Sequence, residues 1–528
     1  MVKVVTAQEM QALDRKAIEE CGIPSLQLME RAGEGVVYAL EQAHGPLRGK
    51  TVSIVVGKGN NGGDGLVVGR LLMKRGAIVR VHLLTDPTRL TGDALTNFTR
   101  YRDLGGTFVA PPPSSPAHIL QSLEESELVV DAIFGTGLGK PIEGMFAEII
   151  ASMNQSRRPI VAIDVPSGLS GDSGAVLGSA IRATQTVTLA LPKRGLFLDQ
   201  GITHTGEIVI TDIGIPAACV DDAVVATQLI TGSYVTAHLP SRPRDAHKGT
   251  FGHVGIIAGS VGKTGAAVLA SQAALRTGAG LVSLAIPETL NDILESMLIE
   301  VMTVPIPDIS IRAFGSPSVT ALLEFANRKT AVAIGPGIGT HNETIDVVME
   351  LIPQLTMPCV IDADGLNAVA TNLAVLNVAK APIILTPHPG EMARLLGCSN
   401  ADVSHDRLGS ATELSRKTGA IVILKGARTL VASPDGSVDI CPTGNPGMAT
   451  GGTGDVLTGI ITGLLGQGLS ARAAAAVGVY LHGLTGDIVA MTQGSYGMIA
   501  GDLVASIPQA MTTAGTTATG PLGQHICG

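Results

Sequence analysis

Residues 51–65 read TVSIVVGKGNNGGDG, a β-branched run followed directly by a glycine-rich loop. A continuous apolar run of this length, flanked by helical segments, is typical of a strand buried on both faces of a parallel sheet. Similar runs follow at 77–84, 128–135, 160–168, 186–192 and 207–214. Two N-terminal helices precede them, the first opened by a capping box of Thr6 and Glu9. This alternation predicts a Rossmann-like, doubly wound α/β sheet.

A second α/β series begins after the polar segment SRPRDAHKGTFGH (241–253). Its apolar runs lie at 253–260, 281–287, 331–339, 359–365, 382–391 and 421–427, and a hairpin is predicted over 429–444. A chain of 528 residues is too long for one core, so we predict two α/β domains, 1–225 and 226–510. Residues 511–528 are low in complexity and are predicted to form a disordered tail.

The composition limits the classes of partner. Hydrophobic residues make up 45% of the chain and charged residues 15%, which argues against disorder. Aromatic residues amount to 2% and the net charge is −9, so nucleic acid is not an expected partner. The six cysteines are scattered, with no C-x-x-C pair and no zinc-like spacing, so neither a metal cage nor an oxidising compartment is indicated.

The chain shows no sign of a membrane partner. Its N-terminus lacks the apolar core of a secretory signal. The apolar stretch 456–483 is interrupted by Gln467, Arg472 and several glycines, a pattern typical of buried helices. We therefore expect a cytoplasmic protein that acts on small molecules.

Three loops at the carboxyl ends of predicted strands carry polar side chains in the first domain. They are GKGNNGGDG (57–65), Asp131 with GTGLGKP (135–141), and DVPSG (164–168). Because such loops meet at one crevice of a doubly wound sheet, amide, hydroxyl and carboxylate oxygens should converge there. These oxygens suit a hard cation or the hydroxyls of a sugar, and Asp164 could serve as an acid or base. The simpler alternatives are an Asx-capped glycine turn at 57–65 and a loop-capping role for Asp164.

In the second domain, GNPGMATGGTGDVLTGI (444–460) leads from a glycine-rich turn into an apolar helix. The N–H groups at this helix start, from Gly452 to Gly454, would hold a phosphoryl group. Asp455 would repel that phosphate unless it faces the acceptor hydroxyl on the other side, as the base that takes its proton. The alternative is that Asp455 only caps the helix.

Other strand ends of this domain carry weaker signals. AGSVGKTGAA (258–267) is not a P-loop, because Ile257 stands where the first glycine is required. The motifs GPGIG, DADGLN and TPHPGE follow predicted strands, and His388 in the last of them could be a turn residue bonded to its own loop.

The motifs NNGGDG, DAIFGTGLGKP, DVPSG, LPKRGL and SLQLMERAG make residues 1–220 resemble the epimerase domain of the NAD(P)H-hydrate repair enzymes. The resemblance implies that Asp164 is the proton-transfer group and that a potassium ion (K⁺) is held by Asn61, Asp131 and Ser167. Lys193 lies in a segment that lines the same crevice, without an assigned role. The residues implied to bind the hydrated dinucleotide are Asn60, Asn61, Gly62, Gly63, Asp64, Gly135, Thr136, Gly137, Leu138, Gly139, Lys140, Pro141 and Asp164.

The motifs HKGTFGHVGIIAGS, GPGIG, HPGE, KGART and NPGMATGGTGDVLTGII make residues 230–510 similar to the ADP- or ATP-dependent NAD(P)H-hydrate dehydratases of the ribokinase-like superfamily. The resemblance implies substrate contacts from Ala266, Gly337, His388 and Asp455. It implies Mg²⁺ on the phosphates and either ADP or ATP as donor. The residues implied to contact the nucleotide are Lys425, Gly426, Ala427, Arg428, Thr429 and Gly454.

Together the two resemblances imply a repair pathway for hydrated NADH and NADPH. The first domain would interconvert the two epimers at carbon 6, and the second would phosphorylate the hydroxyl of the S epimer and expel phosphate. Two alternatives stay open: a kinase of a small hydroxylated metabolite that stops at the phosphorylated product, and a first domain that only binds a ligand. We also expect a homo-oligomer.

Overall fold

The computed structural model describes residues 1–109 and 116–516. The chain divides between Thr227 and Gln228 into two compact units, each with a central sheet. The division predicted from the sequence lies after residue 225.

The N-terminal unit alternates strands and helices along the chain. Its strands are β1 (Val2–Val4), β2 (Thr51–Val56), β3 (Ile78–Leu83), β4 (Phe108–Val109), β5 (Leu128–Ala132), β6 (Ile160–Ile163), β7 (Gln185–Leu189) and β8 (Glu207–Thr211). Its helices are α1 (Ala7–Glu19), α2 (Ser25–His44), α3 (Asn60–Lys74), α4 (Gly92–Asp103), α5 (Pro116–Glu124), α6 (Met145–Gln155), α7 (Gly201–His204) and α8 (Ala217–Asp222). The predicted capping box is confirmed, because the Thr6 hydroxyl accepts a bond from the Glu9 N–H at the start of α1.

One parallel sheet has the order β4-β3-β2-β5-β6-β7-β8. Successive residues of β2 face opposite layers: Val56 packs with side chains of α2 and α3, and Val55 packs with side chains of α6. The sheet is therefore covered on both faces, and the predicted doubly wound fold is confirmed. Strand order reverses between β2 and β5, so the loops after these strands part and leave a crevice.

The C-terminal unit contains a longer mixed sheet. Its strands are β9 (Thr227–Leu229), β10 (His253–Ile257), β11 (Leu281–Pro287), β12 (Met302–Ile306), β13 (Ala331–Ile334), β14 (Cys359–Ile361), β15 (Ile383–Leu385), β16 (Ile421–Leu424), β17 (Leu430–Ala432) and β18 (Val438–Ile440). Their order is β9-β18-β17-β16-β15-β14-β13-β10-β11-β12. Strands β10 to β16 are parallel, and β16, β17 and β18 pair antiparallel, which confirms the predicted hairpin.

Helices cover this sheet and place its glycine-rich motif. They are α9 (Gly232–His238), α10 (Thr264–Arg276), α11 (Asn291–Glu295), α12 (Val319–Ala326), α13 (Asn342–Leu351), α14 (Asp364–Val369), α15 (Ala374–Asn377), α16 (Pro389–Leu396), α17 (Asn400–His405), α18 (Arg407–Thr418), α19 (Thr453–Gly466), α20 (Ala471–Gln493) and α21 (Ala500–Thr516). Helix α19 packs tightly on α10, because a Cβ at Gly459 would come within 2.2 Å of the Ala270 carbonyl oxygen. Helix α20 is long and apolar enough to span a membrane, but 78% of its apolar window is buried inside the unit, as predicted for a core helix.

Strand β12 and the predicted C-terminal tail show where this unit differs from the sequence prediction. Strand β12 was missed, because Pro305 and its partly exposed residues disguise a strand at the edge of the sheet. The tail predicted from residue 511 begins inside α21, which continues to Thr516 because Ala510 and Ala514 are buried in the core. Residues 517–528 lie outside the described part of the chain.

Candidate active sites

A cavity of about 900 Å³ lies at the carboxyl ends of β2, β5 and β6 in the N-terminal unit. The first turn of α3 contributes Asn60, Asn61 and Asp64 to its wall, and the loop after β5 contributes residues 135–140. Asp164, Lys193 and four α1 side chains complete much of the wall. The α1 side chains are Met10, Gln11, Asp14 and Ile18. The structure thus brings most of the predicted dinucleotide-binding residues around one space.

Three predicted residues do not line the cavity. Gly62 instead lets α3 begin against its own loop, because a Cβ there would lie 2.1 Å from the Gly57 carbonyl oxygen. Gly63 lies against Met29, whose sulfur would be 2.8 Å from an added Cβ. Pro141 is exposed beyond the wall-forming loop.

Asp164 and Lys193 form a buried ion pair in the cavity wall. Asp164 has a φ of 68°, an unusual backbone conformation for a residue with a side chain. Its Oδ1 accepts bonds from the Lys193 amine and from the Leu189 N–H at 3.2 Å. The Lys193 side chain is 1% exposed and also donates to the Leu189 carbonyl at 2.7 Å. Lys193, left without a role by the sequence, therefore holds the carboxylate of Asp164.

Two further carboxyl groups in the cavity wall, those of Asp14 and Asp64, are affected by the positive charge of Lys193. Burial raises the pKa of Asp14 to about 6, although the charge of Lys193 acts in the opposite direction. Burial, followed by the charge of Asp164, raises the pKa of Asp64 well above its usual range. Beside the carboxylate held by Lys193, the cavity therefore contains two carboxyl groups that keep a proton to higher pH than an ordinary aspartate does.

Asp131 and Ser167, two of the three predicted potassium ligands, contact each other. Asp131 accepts from the Ser167 N–H at 2.8 Å and from the Ser167 hydroxyl at 2.6 Å. Burial raises the pKa of Asp131 to about 6 against these hydrogen bonds. No described residue bonds to the amide nitrogen or oxygen of Asn61, and both atoms are buried. A buried polar group without a partner costs about 1–3 kcal/mol, so this amide is suited to a bound ion or ligand.

The second site lies at the first turn of α19 in the C-terminal unit. The residue before the helix, Gly452, has a φ of 92°, and no described side chain caps the helix start. The alternative that Asp455 only caps the helix therefore fails. His482 stabilises this turn through a 2.9 Å hydrogen bond between its ring Nε2 and the Thr453 carbonyl. Burial lowers the pKa of His482 to about 4, so the ring is neutral, and its N–H donates because a carbonyl can only accept.

Asp455 supplies the carboxyl group of this turn, and the pKa of this group is raised toward neutral pH. Its pKa is raised to about 7, and burial is the largest cause. The charge of Asp362 is the second cause, whereas the charge of Lys425 lowers the pKa. Asp364 and Glu391 raise the pKa further. A base whose pKa is close to the working pH is well suited to proton transfer.

Lys425 links the loop after β16 to this turn. It donates to Asp362 at 2.9 Å and lies 3.7 Å from Glu391. Burial alone would lower the pKa of Lys425, but the charges of the two carboxylates outweigh it and raise the pKa. A Cβ at Gly454 would lie 3.3 Å from the Lys425 amine, so the lysine reaches the helix start. Two predicted nucleotide-binding segments thus meet.

The remaining nucleotide-binding candidates form a loop that hydrogen bonds hold in place. The Thr429 hydroxyl donates to the Gly426 carbonyl at 3.0 Å, and Arg407 donates to the Ala427 carbonyl at 2.6 Å. The guanidinium of Arg428 is occupied by the Pro442 carbonyl. The loop therefore presents a fixed backbone beside Lys425.

Ala266, in the first turn of α10, lies beside Gly337 in the loop after β13, since a Cβ at Gly337 would be 3.3 Å from the Cβ of Ala266. Asp364, next to them, accepts from the Gly339 N–H at 3.0 Å and pairs with Lys263 at 2.8 Å. His388 has the turn role named as an alternative: its ring accepts from the Gly390 N–H at 3.0 Å, and its side chain is 54% exposed.

The order of these two sites along the chain matches two protein families. Residues 25–195 match the family described as "YjeF-related protein N-terminus", and residues 254–509 match the family described as "NAD(P)H-hydrate dehydratase". A bifunctional NAD(P)H-hydrate repair enzyme from Moorella thermoacetica is 47% identical over 509 residues, 96% of each chain. This chain belongs to the family of bifunctional NAD(P)H-hydrate repair enzymes. The resemblances stated for both halves are thereby confirmed.

Other members and solved structures are also similar. The repair enzyme from Thermofilum pendens is 38% identical over 511 residues, 97% of this chain and 96% of that one. The ADP/ATP-dependent NAD(P)H-hydrate dehydratase from Bacillus subtilis, co-crystallised with ATP and Mg²⁺, is 28% identical. It covers 54% of this chain and 98% of its own, with a TM-score of 0.48.

Several residues of the two candidate sites were not identified from the sequence alone. Asp362, Asp364 and Glu391 lie in the quoted motifs DADGLN and HPGE, yet only the structure shows that they face Lys425 and Asp455. Asp14 and His482 lie on helices and far in sequence from the loops they serve. A carboxylate on the buried face of α1 was the one signal that could have singled out Asp14.

We expect Lys425→Met to destabilise the C-terminal unit by about 3–5 kcal/mol, because it leaves a buried carboxylate without its cation. The carboxylate is that of Asp362, whose side chain is 1% exposed. Urea denaturation measures the loss, with Lys417→Met, at an exposed lysine, as the matched control. A loss below about 1 kcal/mol, the range of surface ion pairs, would contradict the buried-pair interpretation.

Proposed function

We propose that this chain repairs hydrated NADH and NADPH in two steps. The N-terminal unit interconverts the epimers at carbon 6, and the C-terminal unit dehydrates the S epimer with ADP or ATP as phosphoryl donor. The observation that carries the proposal is Asp455, a carboxyl group with a pKa of about 7 in the first turn of a helix whose start no described side chain caps. Lys425, which reaches the same turn, supplies the positive charge that a transferring phosphoryl group requires.

In the dehydration step, Asp455 removes the proton of the carbon 6 hydroxyl while the hydroxyl oxygen bonds to the terminal phosphorus of the nucleotide. The bond from that phosphorus to the bridging oxygen breaks, and AMP leaves from ADP or ADP leaves from ATP. The first N–H groups of α19 and the amine of Lys425 face the developing charge on the phosphoryl group. The carbon 6–oxygen bond then breaks, and phosphate leaves with its electron pair. The lone pair of the ring nitrogen assists, and loss of the carbon 5 proton restores the ring double bond.

Mg²⁺ fits this site as a companion of the nucleotide. Within residues 1–109 and 116–516, no group of three or more His, Cys, Asp or Glu side chains forms a ready metal site. Mg²⁺ is commonly held by one or two carboxylates together with substrate phosphates, and there it neutralises phosphate charge. The carboxylates facing Asp455 are candidates, and Asp364 is the more accessible, because its side chain is 13% exposed and that of Asp362 is 1% exposed.

In the epimerisation step, the carbon 6–oxygen bond breaks with help from the lone pair of the ring nitrogen, and the hydroxyl leaves as water after gaining a proton from solvent. Water then adds to the other face of carbon 6, and Asp164 accepts the proton that this water loses and returns it to solvent. Lys193 orients Asp164 through their buried ion pair. Asn61, Asp131 and Ser167 would hold K⁺, which supplies positive charge near the bound dinucleotide. The buried amide of Asn61, without a described partner, supports this assignment.

We expect Asn61→Ala to raise the K⁺ concentration for half-maximal epimerisation by about tenfold or more, since it removes one ligand. Stopped-flow assays over a K⁺ series at constant ionic strength measure this value. Asn97→Ala, at another buried asparagine of the same unit, is the matched control. An unchanged K⁺ dependence in Asn61→Ala, with a weaker affinity for the dinucleotide alone, would assign Asn61 to substrate and not to the ion.

The function is tested by giving the full chain both epimers of hydrated NADH with Mg²⁺, K⁺ and either ADP or ATP. We expect the absorbance of reduced nicotinamide to return for both epimers, and the effective nucleotide identifies the donor. If the absorbance returned for the S epimer only, the N-terminal unit would lack the proposed epimerase activity. A phosphorylated product that accumulates without reduced nicotinamide would favour the small-molecule kinase.

We further propose that the enzyme acts in the cytoplasm as a homo-oligomer on these small molecules, without nucleic acid or membrane. Light scattering of the purified chain measures the assembly.

A further inference from the structure

Two cysteines that are far apart in sequence meet in the N-terminal unit. The sulfur atoms of Cys21 and Cys219 lie 3.1 Å apart, although 198 positions separate them in the chain. Cys21 follows α1 and is exposed, whereas Cys219 lies in α8 and is buried. Both are free thiols. Their separation is too long for a disulfide and close enough for one sulfur to attack the other after modest motion.

The surroundings hold these two thiols together. Lys16 of α1 and Asp222 of α8 form an ion pair at 3.0 Å. Lys3 donates to the Val220 and Ala223 carbonyls, each at 2.7 Å, which fixes the chain around Cys219. The Cys21 N–H donates to the Lys16 carbonyl at 3.2 Å, so the exposed thiol is tied to the end of α1.

We propose that Cys21 and Cys219 are a modification site at which a peroxide forms an intramolecular disulfide that joins α1 to α8. The exposed Cys21 sulfur attacks one peroxide oxygen, the O–O bond breaks, and one water leaves. The resulting sulfenic acid on Cys21 is attacked by the Cys219 sulfur, and the S–O bond breaks. The leaving hydroxide takes the Cys219 proton as a second water. Two thiols thus lose two electrons to one hydrogen peroxide.

The order of attack follows from exposure and acidity. Cys21 is open to solvent, while Cys219 is enclosed. The hydrogen bond with Cys21 raises the pKa of the Cys219 thiol, which keeps it protonated until its partner is oxidised. Cys359 and Cys441 are buried elsewhere, and burial raises the pKa of Cys441 to about 11, so these thiols are poor competitors.

The site has a structural consequence for the cavity of this unit. Helix α1 supplies Met10, Asp14 and Ile18 to the cavity wall. A covalent link at the end of α1 closes a loop of 198 positions, and long closed loops restrict the unfolded chain most strongly. The disulfide therefore stabilises the wall under oxidising conditions and is released by a thiol reductant.

The test treats the folded full-length protein with one equivalent of hydrogen peroxide, followed by trypsin digestion without reductant. We expect a linked peptide pair, Ala17–Arg31 with Gly195–Arg244, lighter by two hydrogens than the sum of the two peptides. Dithiothreitol should separate the pair. Hydrogen exchange of the α1 amides should slow by about tenfold or more in the oxidised protein.

The controls use single substitutions. Cys21→Ser and Cys219→Ser should each abolish the linked peptide and the slower exchange, while Cys398→Ser, at the other described exposed cysteine, should keep both. Sulfinic acid on Cys21 without the linked peptide would overturn the proposal. A link from Cys21 to any other cysteine, or a link that leaves α1 exchange unchanged, would overturn it as well.

Discussion

Asp455→Asn is expected to lower nucleotide-dependent dehydration by about 10²- to 10⁴-fold, the range lost with a general base. Asparagine keeps the shape of the side chain but cannot accept the hydroxyl proton. Epimerisation should be unchanged, because Asp455 belongs to the other compact unit. The measurement is single-turnover dehydration of the purified S epimer, with Asp435→Asn, at an exposed aspartate, as the matched control.

The pH profile gives a second check on the same residue. The pKa of Asp455 is about 7 in the folded protein, and only the ionised form accepts a proton. Dehydration should therefore fall tenfold for each pH unit below about 7 and become constant above it. The residual rate of Asp455→Asn should not show this fall below about pH 7. A variant that keeps more than a tenth of the wild-type rate would contradict the assignment as base.

Stability separates a catalytic loss from unfolding. The folded pKa of Asp455 is raised from 3.8 to about 7, so ionisation of this group opposes folding. The opposing effect is complete above about 7, decreases as the pH falls, and is absent below 3.8. At pH 8 the melting temperature of Asp455→Asn should therefore exceed that of the wild type, and the difference should vanish toward pH 4.

Much of the fold was predictable because its strands are continuous apolar runs. The run at 51–57 became β2 and the run at 421–427 became β16, each shorter in the structure because the last residues turn into the site loops. Edge strands were not predictable in the same way. β12 contains Pro305 and is only partly buried, so it lacks the pattern on which the prediction rests.

The parts of the candidate sites that glycine-rich loops form could be predicted from the sequence. The ion pairs between residues that are far apart in the sequence could not. NNGGDG and GTGD identify backbone shapes that follow from glycine spacing. The pairing of Asp164 with Lys193 depends on a left-handed residue at the end of β6 and on a segment 29 positions later. The contact of Lys425 with Asp362 spans 63 positions, and no local pattern encodes it.

Asp164→Asn is expected to lower epimerisation by about 10²- to 10⁴-fold, since the amide cannot carry the proton. The rate is measured with the R epimer supplied alone and excess dehydratase activity from a separate enzyme. Dehydration of the S epimer by the same variant should remain at the wild-type rate. Asp212→Asn, at a surface aspartate that caps the Gly214 N–H at 2.7 Å, is the matched control.

The ion pair complicates this single substitution, because Asp164→Asn leaves the buried amine of Lys193 without its carboxylate. Such a loss costs about 3–5 kcal/mol, enough to lower activity through unfolding. The double variant Asp164→Asn with Lys193→Met removes the unpaired charge and should regain stability without epimerisation. If epimerisation returned together with stability, Asp164 would act only as the partner of Lys193, and the N-terminal unit would need another proton-transfer group, for which Asp14 and Asp64 are the nearest candidates.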